Sequence, residues 1–174
     1  MGARMPGHHA NSVGNFSWSP ADERVIVVPT PTEEEPMDGK DVARRLYDEV
    51  FNARRVEVLD EIATPDYDEH SPLPGQGNGL DGLKQRVAML IDALDPHFTI
   101  EDMVAEGDRV VVRWTNSGTN VGDFGGMPAS GRTFTIDGID IYAMRDGKLA
   151  EHWHVVDMFG MLQQLGFLPV PDPA

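Results

Sequence analysis

The chain has 174 residues, a formal net charge of −15, a sequence pI of about 4.6 and no cysteine. That length suits one domain with some irregular extra sequence. The acidic field repels nucleic acid and anionic membrane surfaces, so we expect neither as a partner, and the lack of cysteine excludes disulfides, thiol catalysis and thiolate-bound metals. No apolar run is long enough to span a bilayer or to serve as a signal core, so we expect a cytoplasmic protein.

The first 36 residues differ from the rest of the chain. They are rich in Gly, Pro, His, Asn and Ser up to Pro20, and the acidic run Glu33-Glu34-Glu35 precedes Pro36. Such a composition is typical of a flexible segment and a solvated linker. We therefore interpret 1–36 as a flexible N-terminal extension, 37–170 as the folded domain and 171–174 as a C-terminal tail.

Helical patterns come first in the folded domain. Apolar residues at helical spacing predict an amphipathic helix over 41–51, a short helix within 56–63 and a third helix over 81–94. Between the second and third helices, 66–70 is an extended piece and 71–79 is a loop rich in Pro and Gly.

Strand patterns follow the helices. Glu106-Gly107-Asp108 and Asp146-Gly147 are hairpin turn signals, and a Gly-rich loop that we interpret as a flap or a dimer contact separates the two hairpins. The predicted strands cover 98–105, 109–118, 132–144 and 149–157, and a last helix covers 158–165. Helices followed by antiparallel strands predict an α+β fold, in which a curved antiparallel sheet forms a half-open cone against the N-terminal helices. A cone of this kind encloses an apolar pocket, which is the usual place for a small ligand.

The last predicted strand and the helix after it carry the strongest candidate for a catalytic group. Strand alternation places Glu151, Trp153, Val155 and Asp157 on one face, and His152, His154 and Val156 on the other. On a face with apolar neighbours, the pKa of Asp157 could rise far enough for a general base. Alternatively, Asp157 is the N-cap of the last helix, and the two roles are compatible.

Several other side chains are candidates for the pocket. His70 could donate a hydrogen bond to a substrate carbonyl, or it could pack at the mouth of the cone. Arg113 could serve as an oxyanion partner, or it could form an ion pair with Glu151. Asp140 lies between two isoleucines of a strand and could face either the pocket or solvent.

Two aromatic residues and a pair of histidines complete the candidates. Trp153 could line the pocket or belong to the core, and Tyr47 could bind ligand from the first helix or pack within that helix's core. The spacing His152-x-His154 puts both imidazoles on one strand face, as in some metal sites. A metal would need a third ligand on that face, whereas Asp157 is on the other, so we expect no metal.

An ordered set of motifs runs through the predicted domain and closely resembles the SnoaL-like polyketide (ester) cyclase family. The resemblance covers about 40–169. The motifs are Asp66-Tyr67-x-x-His70-x-Pro72, Gly79-Leu80-x-Gly82-Leu83, Glu106-Gly107-Asp108-Arg109-Val110, Arg113-Trp114-Thr115, Gly118-Thr119, Phe124-x-Gly126-x-Pro128-x-x-Gly131-Arg132, Asp146-Gly147-Lys148, Glu151-x-Trp153-x-x-x-Asp157 and Gln164-Leu165-Gly166.

The resemblance implies both a fold and an activity. The family is similar in fold to nuclear transport factor two, scytalone dehydratase and ketosteroid isomerase. Its founding members close a polyketide ring by intramolecular aldol condensation without metal or organic cofactor, and an aspartate on the last strand acts as acid and base. The matching position here is Asp157. We therefore expect a small hydrophobic or polyketide-like substrate, acid/base catalysis by Asp157 with help from His70, and a homodimer formed through the sheet face.

Three other functions remain open at this point. An isomerase or dehydratase that moves a proton next to a carbonyl would use the same Asp157. An epoxide hydrolase of the limonene type would be expected to have an Arg-x-Asp pair on one strand. The chain contains no Arg-x-Asp, so the sequence does not favour this activity. A non-catalytic small-ligand binder or assembly module would fit an Asp157 that is only an exposed helix cap.

Overall fold

The computed structural model describes residues 38–169. The predictions for 1–36 and for 171–174 lie outside these residues. In chain order, the elements are α1 (Gly39–Arg45), a π-helix (Leu46–Asn52), a 3-10 turn (Val56–Val58), α2 (Leu59–Ile62), β1 (Ala63–Glu69), α3 (Gly79–Leu94), β2 (His97–Glu106), β3 (Arg109–Thr119), β4 (Thr133–Arg145), β5 (Lys148–Val156) and α4 (Met158–Leu165). Within the described part of the chain, no helix combines the length and the apolar character that crossing a membrane requires.

The first predicted helix is present as α1, which continues directly into the π-helix. The Asp38 carboxylate caps α1 by accepting a hydrogen bond from the backbone N–H of Lys40 at 3.2 Å. At the other end, the Asn52 side chain donates to the carbonyl of Phe98 and accepts from the N–H of Phe98, both at 2.8 Å. Asn52 therefore ends the helix and fastens it to β2.

Within residues 38–169, the sheet has five strands in the order β1-β5-β4-β3-β2. Both predicted hairpins, β2–β3 and β4–β5, are confirmed as antiparallel pairs. The sheet is not wholly antiparallel, however, because β1 pairs with β5 in parallel. As a result, β5 lies between β1 and β4, although it comes last in the sequence among the strands of 38–169.

One face of this curved sheet is covered by the helices and forms the core. Alternate residues of β3 point into the core, from Val110 and Val112 to Trp114 and Asn116, and each is at most 7 % exposed. The core cluster also contains side chains of α1, the π-helix, α3 and α4. The α+β architecture with a curved sheet packed against N-terminal helices is thus the one that the sequence predicts.

Candidate active site

A cavity lies between the covered face of the sheet and the helices. It contains about 790 Å³ of space free of protein atoms, part of which is open to solvent. Most of its wall is apolar or aromatic, including Phe51, Phe98, Trp114, Phe124 and Ile136. An apolar cavity with a few convergent polar groups is the usual form of a small-molecule site.

The charged and imidazole side chains of the cavity form one wall, which we call the polar wall. It consists of Glu69 at the end of β1, Arg86 on α3, Asp140 on β4, and His152 and His154 on β5. The sheet register explains part of this grouping, since Asp140 is opposite His154, and Glu69 is aligned with His152. Four separate elements therefore supply the polar wall.

His152 is held between two carboxylates. Its Nδ1 lies 2.7 Å from Glu69 Oε2, and its Nε2 lies 3.3 Å from Asp140 Oδ1, at an angle that gives no well-aligned hydrogen bond. Burial by itself lowers the pKa of His152, but the contacts with Asp140 and Glu69 outweigh burial and raise the pKa to about 9. His152 is accordingly an imidazolium at neutral pH.

Asp140 is buried, and its carboxylate accepts hydrogen bonds from neighbouring hydroxyl groups. Its Oδ2 accepts hydrogen bonds from the hydroxyls of Tyr47 at 2.5 Å and Tyr142 at 3.1 Å. Burial acts to raise the pKa of Asp140, yet the contacts with His152 and Tyr47 prevail and lower it. Asp140 is therefore a carboxylate whose role is to hold the His152 imidazolium.

His154 differs from His152 in its surroundings. Its side chain is 15 % exposed, and its Nδ1 lies 3.4 Å from Nη2 of Arg86 and 3.8 Å from Oε1 of Glu69. Burial, followed by the positive charges of Arg86 and His152, lowers the pKa of His154 below its ordinary value of 6.5. His154 is thus a neutral imidazole at neutral pH. Because Arg86 has only N–H donors, the facing Nδ1 is the nitrogen without a proton.

Glu69 supplies the third metal-type ligand that the sequence analysis did not find. The ligand atoms of Glu69, His152 and His154 lie within 4.8 Å of one another. In the sequence, the third group was sought on β5 alone, whereas it comes from the parallel neighbour β1. However, Arg86 lies 3.6 Å from Glu69, and Nδ1 of His152 is already bound to that carboxylate. The arrangement is an ion-pair network with balanced charge, which does not favour a cation.

Three of the predicted site residues lie together on the opposite, outer face of the sheet. The rings of His70 and Trp153 stack with centroids 4.2 Å apart, and Nε2 of His70 lies 3.0 Å from Oε2 of Glu151. The guanidinium of Arg109 lies over Trp153 at 5.2 Å. None of these side chains lines the cavity. Their assignment to the pocket was wrong. For Glu151 and Trp153 the reason is that alternation separates the two faces of β5 without saying which one is covered by the helices, and His70, which follows β1, stacks on the same outer face.

Two further candidates support the structure from outside the cavity wall. Arg113 is exposed and pairs with Asp102 at 2.6 Å rather than with Glu151. Tyr47 is fully buried and binds Asp140, so its place in the helix core is the correct alternative. Of the predicted pocket residues, Asp140 does line the cavity.

Asp157 lies at the N-cap of α4. It is exposed, and its Oδ1 accepts a hydrogen bond from the N–H of Gly160 at 2.8 Å. A Cβ at Gly160 would come within 2.1 Å of Oδ2 of Asp157, so a larger residue there would require the carboxylate to turn. Val156 and Met158 line the cavity, but Asp157 does not. Its position corresponds to the capping alternative and gives no support to a pocket base.

The structure adds four residues that sequence reasoning did not place in the site: Glu69, Arg86, His152 and His154. Arg86 had a detectable signal, because it follows Leu83 by three residues on the apolar face of α3. The two histidines were noted only as a metal motif. Glu69 had no signal of its own, since its place depends on the parallel pairing of β1 with β5.

An α+β fold, in which a curved sheet and helices enclose an apolar cavity with titratable groups in its polar wall, is the architecture of a small-molecule enzyme. The comparisons with known proteins define its family. The family model for SnoaL-like polyketide cyclase matches residues 41–165, and the chain belongs to this family.

Curated relatives and solved structures agree with this assignment. The chain is 30 % identical over 140 residues to the aklanonic acid methyl ester cyclase DauD of Streptomyces sp. (strain C5), covering 76 % of this chain and 84 % of the relative. It is 30 % identical over 125 residues to the nogalonic acid methyl ester cyclase of Streptomyces nogalater, covering 70 % and 92 %. The structure of TsrD from Streptomyces laurentii superposes with a TM-score of 0.68 at 34 % identity and covers 74 % of this chain and 95 % of that one. Both of these curated relatives are named as cyclases, so the family resemblance and the expectation of an enzyme are confirmed.

Proposed function

We propose that the chain closes a ring in a polyketide-like substrate by intramolecular aldol addition, with His154 as the proton acceptor and Arg86 as the group that polarises the substrate carbonyl. The observation that carries this proposal is the contact between the neutral imidazole and the guanidinium, with Nδ1 and Nη2 3.4 Å apart on the cavity wall. The cyclase names of the relatives give the reaction class.

The contact supplies the two functions that enolate formation needs. A substrate carbonyl oxygen that takes over an N–H of Arg86 becomes more electrophilic, and the proton on its α-carbon becomes more acidic. The same displacement frees the lone pair on Nδ1 of His154, which then lies beside that proton. General base catalysis requires this proximity together with a base that is unprotonated at the working pH, and the lowered pKa of His154 provides the second condition.

The reaction balances without a leaving group. His154 removes the α-proton, the enolate carbon forms a bond to a second carbonyl carbon of the same molecule, and that carbonyl becomes an alkoxide. The protonated His154 then returns the proton to the alkoxide. The His152 imidazolium, held by Glu69 and Asp140, maintains a positive potential beside the developing negative charge. The product is an isomer of the substrate.

Mass spectrometry distinguishes this proposal from a dehydratase, a hydrolase and a binding module, and proton NMR of the product separates ring closure from an isomerisation of the same mass. The purified full chain would be incubated with aklanonic acid methyl ester, the type of substrate named for the relatives, with and without a metal chelator. We expect a product of unchanged mass and altered absorbance in both samples. A product that has lost one water would indicate a dehydratase, one that has gained a water would indicate a hydrolase, and no product with this and related esters would favour a binding module.

The predicted homodimer is part of the same proposal, because the outer face of the sheet carries an exposed apolar patch. Ile139 and Val155 are directly paired across β4 and β5, and they are 44 % and 76 % exposed. Ile141, which is 38 % exposed, extends the patch. Light scattering on the wild type and on Val155→Lys tests it: we expect a dimer that the substitution converts to monomer, and a monomeric wild type would contradict the prediction.

A further inference from the structure

The phenol of Tyr67 is buried but takes no part in the hydrogen bonding of the fold. The chain has three tyrosines, and each is at most 3 % exposed. Tyr47 and Tyr142 both donate from their hydroxyls to Oδ2 of Asp140. The hydroxyl of Tyr67, on β1, has no hydrogen-bond partner among residues 38–169. A buried donor without an acceptor destabilises the fold, so its presence beside a cavity indicates an acceptor that a bound molecule brings.

The carboxylate that follows Tyr67 on β1 is already occupied. Glu69 is two residues further on, on the same face and about 7 Å away along the strand. Its Oε2 lies 2.7 Å from Nδ1 of His152, and its Oε1 accepts from the N–H of Ser71 at 3.0 Å. Tyr67 therefore lies at the edge of the polar wall with its hydroxyl proton still available to an acceptor.

Part of the surface of the Tyr67 hydroxyl can be reached by a ligand. Among the described buried polar atoms without a partner, the fully enclosed ones belong to Trp114, Asn116 and His152. Tyr67 is not one of these, and it borders both the cavity and a groove beside the loop 71–79. Asp140 and Tyr142 line the cavity but not the groove, and their pKa values are coupled to that of Tyr67 through its hydroxyl. The hydroxyl is therefore on the cavity side.

Tyr67 is a neutral phenol at neutral pH. Burial, followed by the negative charge of Glu69, raises the pKa of Tyr67 well above its ordinary value of 10, and the positive charge of Arg86 only partly offsets this. The hydroxyl can therefore donate a hydrogen bond but does not act as a base. A fixed donor in a site with little water stabilises negative charge that develops on its acceptor during a reaction.

Ring closure by aldol addition places charge on two oxygens that need such donors. In the proposed function, the enolate oxygen takes over an N–H of Arg86, and the attacked carbonyl becomes an alkoxide. The two oxygens are then on carbons that share one neighbour, as in a β-diketone. Arg86 is on α3, which packs against β1, and its Nη1 lies 3.6 Å from Oε2 of Glu69. Tyr67 and Arg86 therefore approach the same part of the cavity from two elements.

We propose that Tyr67 is a catalytic residue, whose hydroxyl donates a hydrogen bond to the substrate carbonyl that becomes the alkoxide. The inference deepens the proposed function and rests on it for the type of reaction. Arg86 then holds the enolate oxygen, Tyr67 holds the alkoxide oxygen, and His154 moves the proton from carbon to oxygen. No proton leaves Tyr67, so the balance of the reaction is unchanged.

Benzoylacetone tests the inference without any turnover. It is a β-diketone whose enolate carries charge on two oxygens spaced as in the aldol product, and its ultraviolet absorbance changes on ionisation. Titration gives the pKa of the bound probe, which we expect the wild type to lower. Tyr67→Phe and Arg86→Gln should each raise it again by about one to two units, the value of one hydrogen bond to a charged group. Lys84→Gln removes a charge that pairs with Asp60 outside the cavity, and this control should match the wild type.

The outcomes separate this inference from the proposed function. A probe pKa that is raised in Arg86→Gln but unchanged in Tyr67→Phe would overturn the role of Tyr67 and leave the proposed function standing. A wild type that does not lower the pKa of the probe would also overturn that role. A shift that depends on Tyr67, in a protein that turns over no ester, would contradict the proposed reaction and keep Tyr67 as an oxyanion donor.

Thermal unfolding and kinetics distinguish a catalytic phenol from a structural one. Tyr67→Phe removes an oxygen without an acceptor in the described fold, so the variant should melt at the wild-type temperature or higher. Tyr142→Phe removes a hydroxyl bound to Asp140 at 3.1 Å and should melt lower. On a cyclisation substrate, Tyr67→Phe should lower kcat by roughly a hundredfold with little change in KM, and the acid limb of the pH profile should stay in place. A Tyr67→Phe variant that melts as low as Tyr142→Phe, or does not fold, would refute the inference.

Discussion

His152 and His154 lie on the same face of β5 with their ring centroids 5.2 Å apart, and their pKa values are shifted in opposite directions. His152 is protonated because two carboxylates contact it. His154 is neutral because burial and two neighbouring positive charges disfavour its protonation. Two titratable groups of one type with separated pKa values are the usual sign of divided acid and base roles. The following predictions test this division.

Replacement of His154 by glutamine should remove the proton acceptor and leave the fold intact. We expect kcat to fall by roughly a hundredfold to ten-thousandfold, the usual contribution of general acid/base catalysis, with little change in KM. Steady-state kinetics on the cyclisation substrate, together with circular dichroism to confirm folding, measure this effect. A variant with nearly wild-type kcat would exclude His154 as the base.

Removal of the Arg86 charge should change the pH profile of the reaction. In the wild type, kcat/KM should increase as the pH rises through the pKa of His154, which is lowered below its ordinary value of 6.5. Because Arg86 contributes to lowering that pKa, Arg86→Gln should move the acid limb to higher pH as well as reduce kcat. An unchanged acid limb would mean that the titrating group is not next to Arg86. Lys84→Gln, on the same helix but paired with Asp60 at the surface, is the control.

Alanine at Asp157 should affect stability and not chemistry. The side chain caps α4, so Asp157→Ala should lower the free energy of unfolding by about 1 kcal/mol. Asn is also a good N-cap, so Asp157→Asn should be close to wild type in stability, and both variants should keep their turnover. Urea unfolding and kinetics decide the matter. If Asp157→Asn folded normally but lost turnover, the result would support Asp157 as the base that the family resemblance implies.

The His152 network should make the protein less stable in alkaline solution. The pKa of His152 is raised from 6.5 to about 9, so its stabilisation is complete below pH 6.5 and is lost as the pH rises through about 9. The difference corresponds to roughly 3 kcal/mol as an upper value. Urea unfolding at both ends of this range measures it. His152→Gln should be less stable at neutral pH and lose this part of the pH dependence. An unchanged slope in the variant would assign it to another group.

The substitution Tyr47→Phe tests how much the hydrogen bond from Tyr47 to Asp140 stabilises the fold. The variant loses the 2.5 Å hydrogen bond from the phenol to a buried carboxylate, which should cost about 1.5–3 kcal/mol of stability. Tyr142→Phe removes the longer 3.1 Å bond to the same oxygen and is the matched comparison, with a smaller expected loss. Equal losses in thermal or urea unfolding would contradict the stronger role of Tyr47.

The order and nature of the elements could be predicted from the sequence, and the reasons are local. Apolar spacing located α3 as 81–94, where the structure has Gly79–Leu94, and α4 as 158–165, which the structure confirms. The turn signals located both hairpins, because a tight turn is also determined by residues that are adjacent in the sequence. The π-helical continuation of α1 was not predicted, because helical spacing of apolar residues does not separate these helix types over two turns.

The composition of the site depended on long-range pairing and could not be predicted in the same way. Alternation correctly separated His152 from Trp153, but only the packing of the helices decides which face is inside. Glu69 reaches His152 because β1 joins β5 in parallel, and no turn signal marks that pairing. The family resemblance supplied the fold and the reaction class, while it directed attention to Asp157 and away from His154.

The position of β5 in the sheet has a consequence for biosynthesis. β5 is the last of the described strands to leave the ribosome, and it must insert between β1 and β4, which have been made earlier. Until then, both strands present open edges and the sheet is incomplete, which is the state in which β-proteins are prone to aggregate. A stalled or truncated chain that ends before residue 148 would therefore contain four of the five described strands, and it would lack His152 and His154. Yield in a host cell should depend on chaperones that shield these edges until translation is complete.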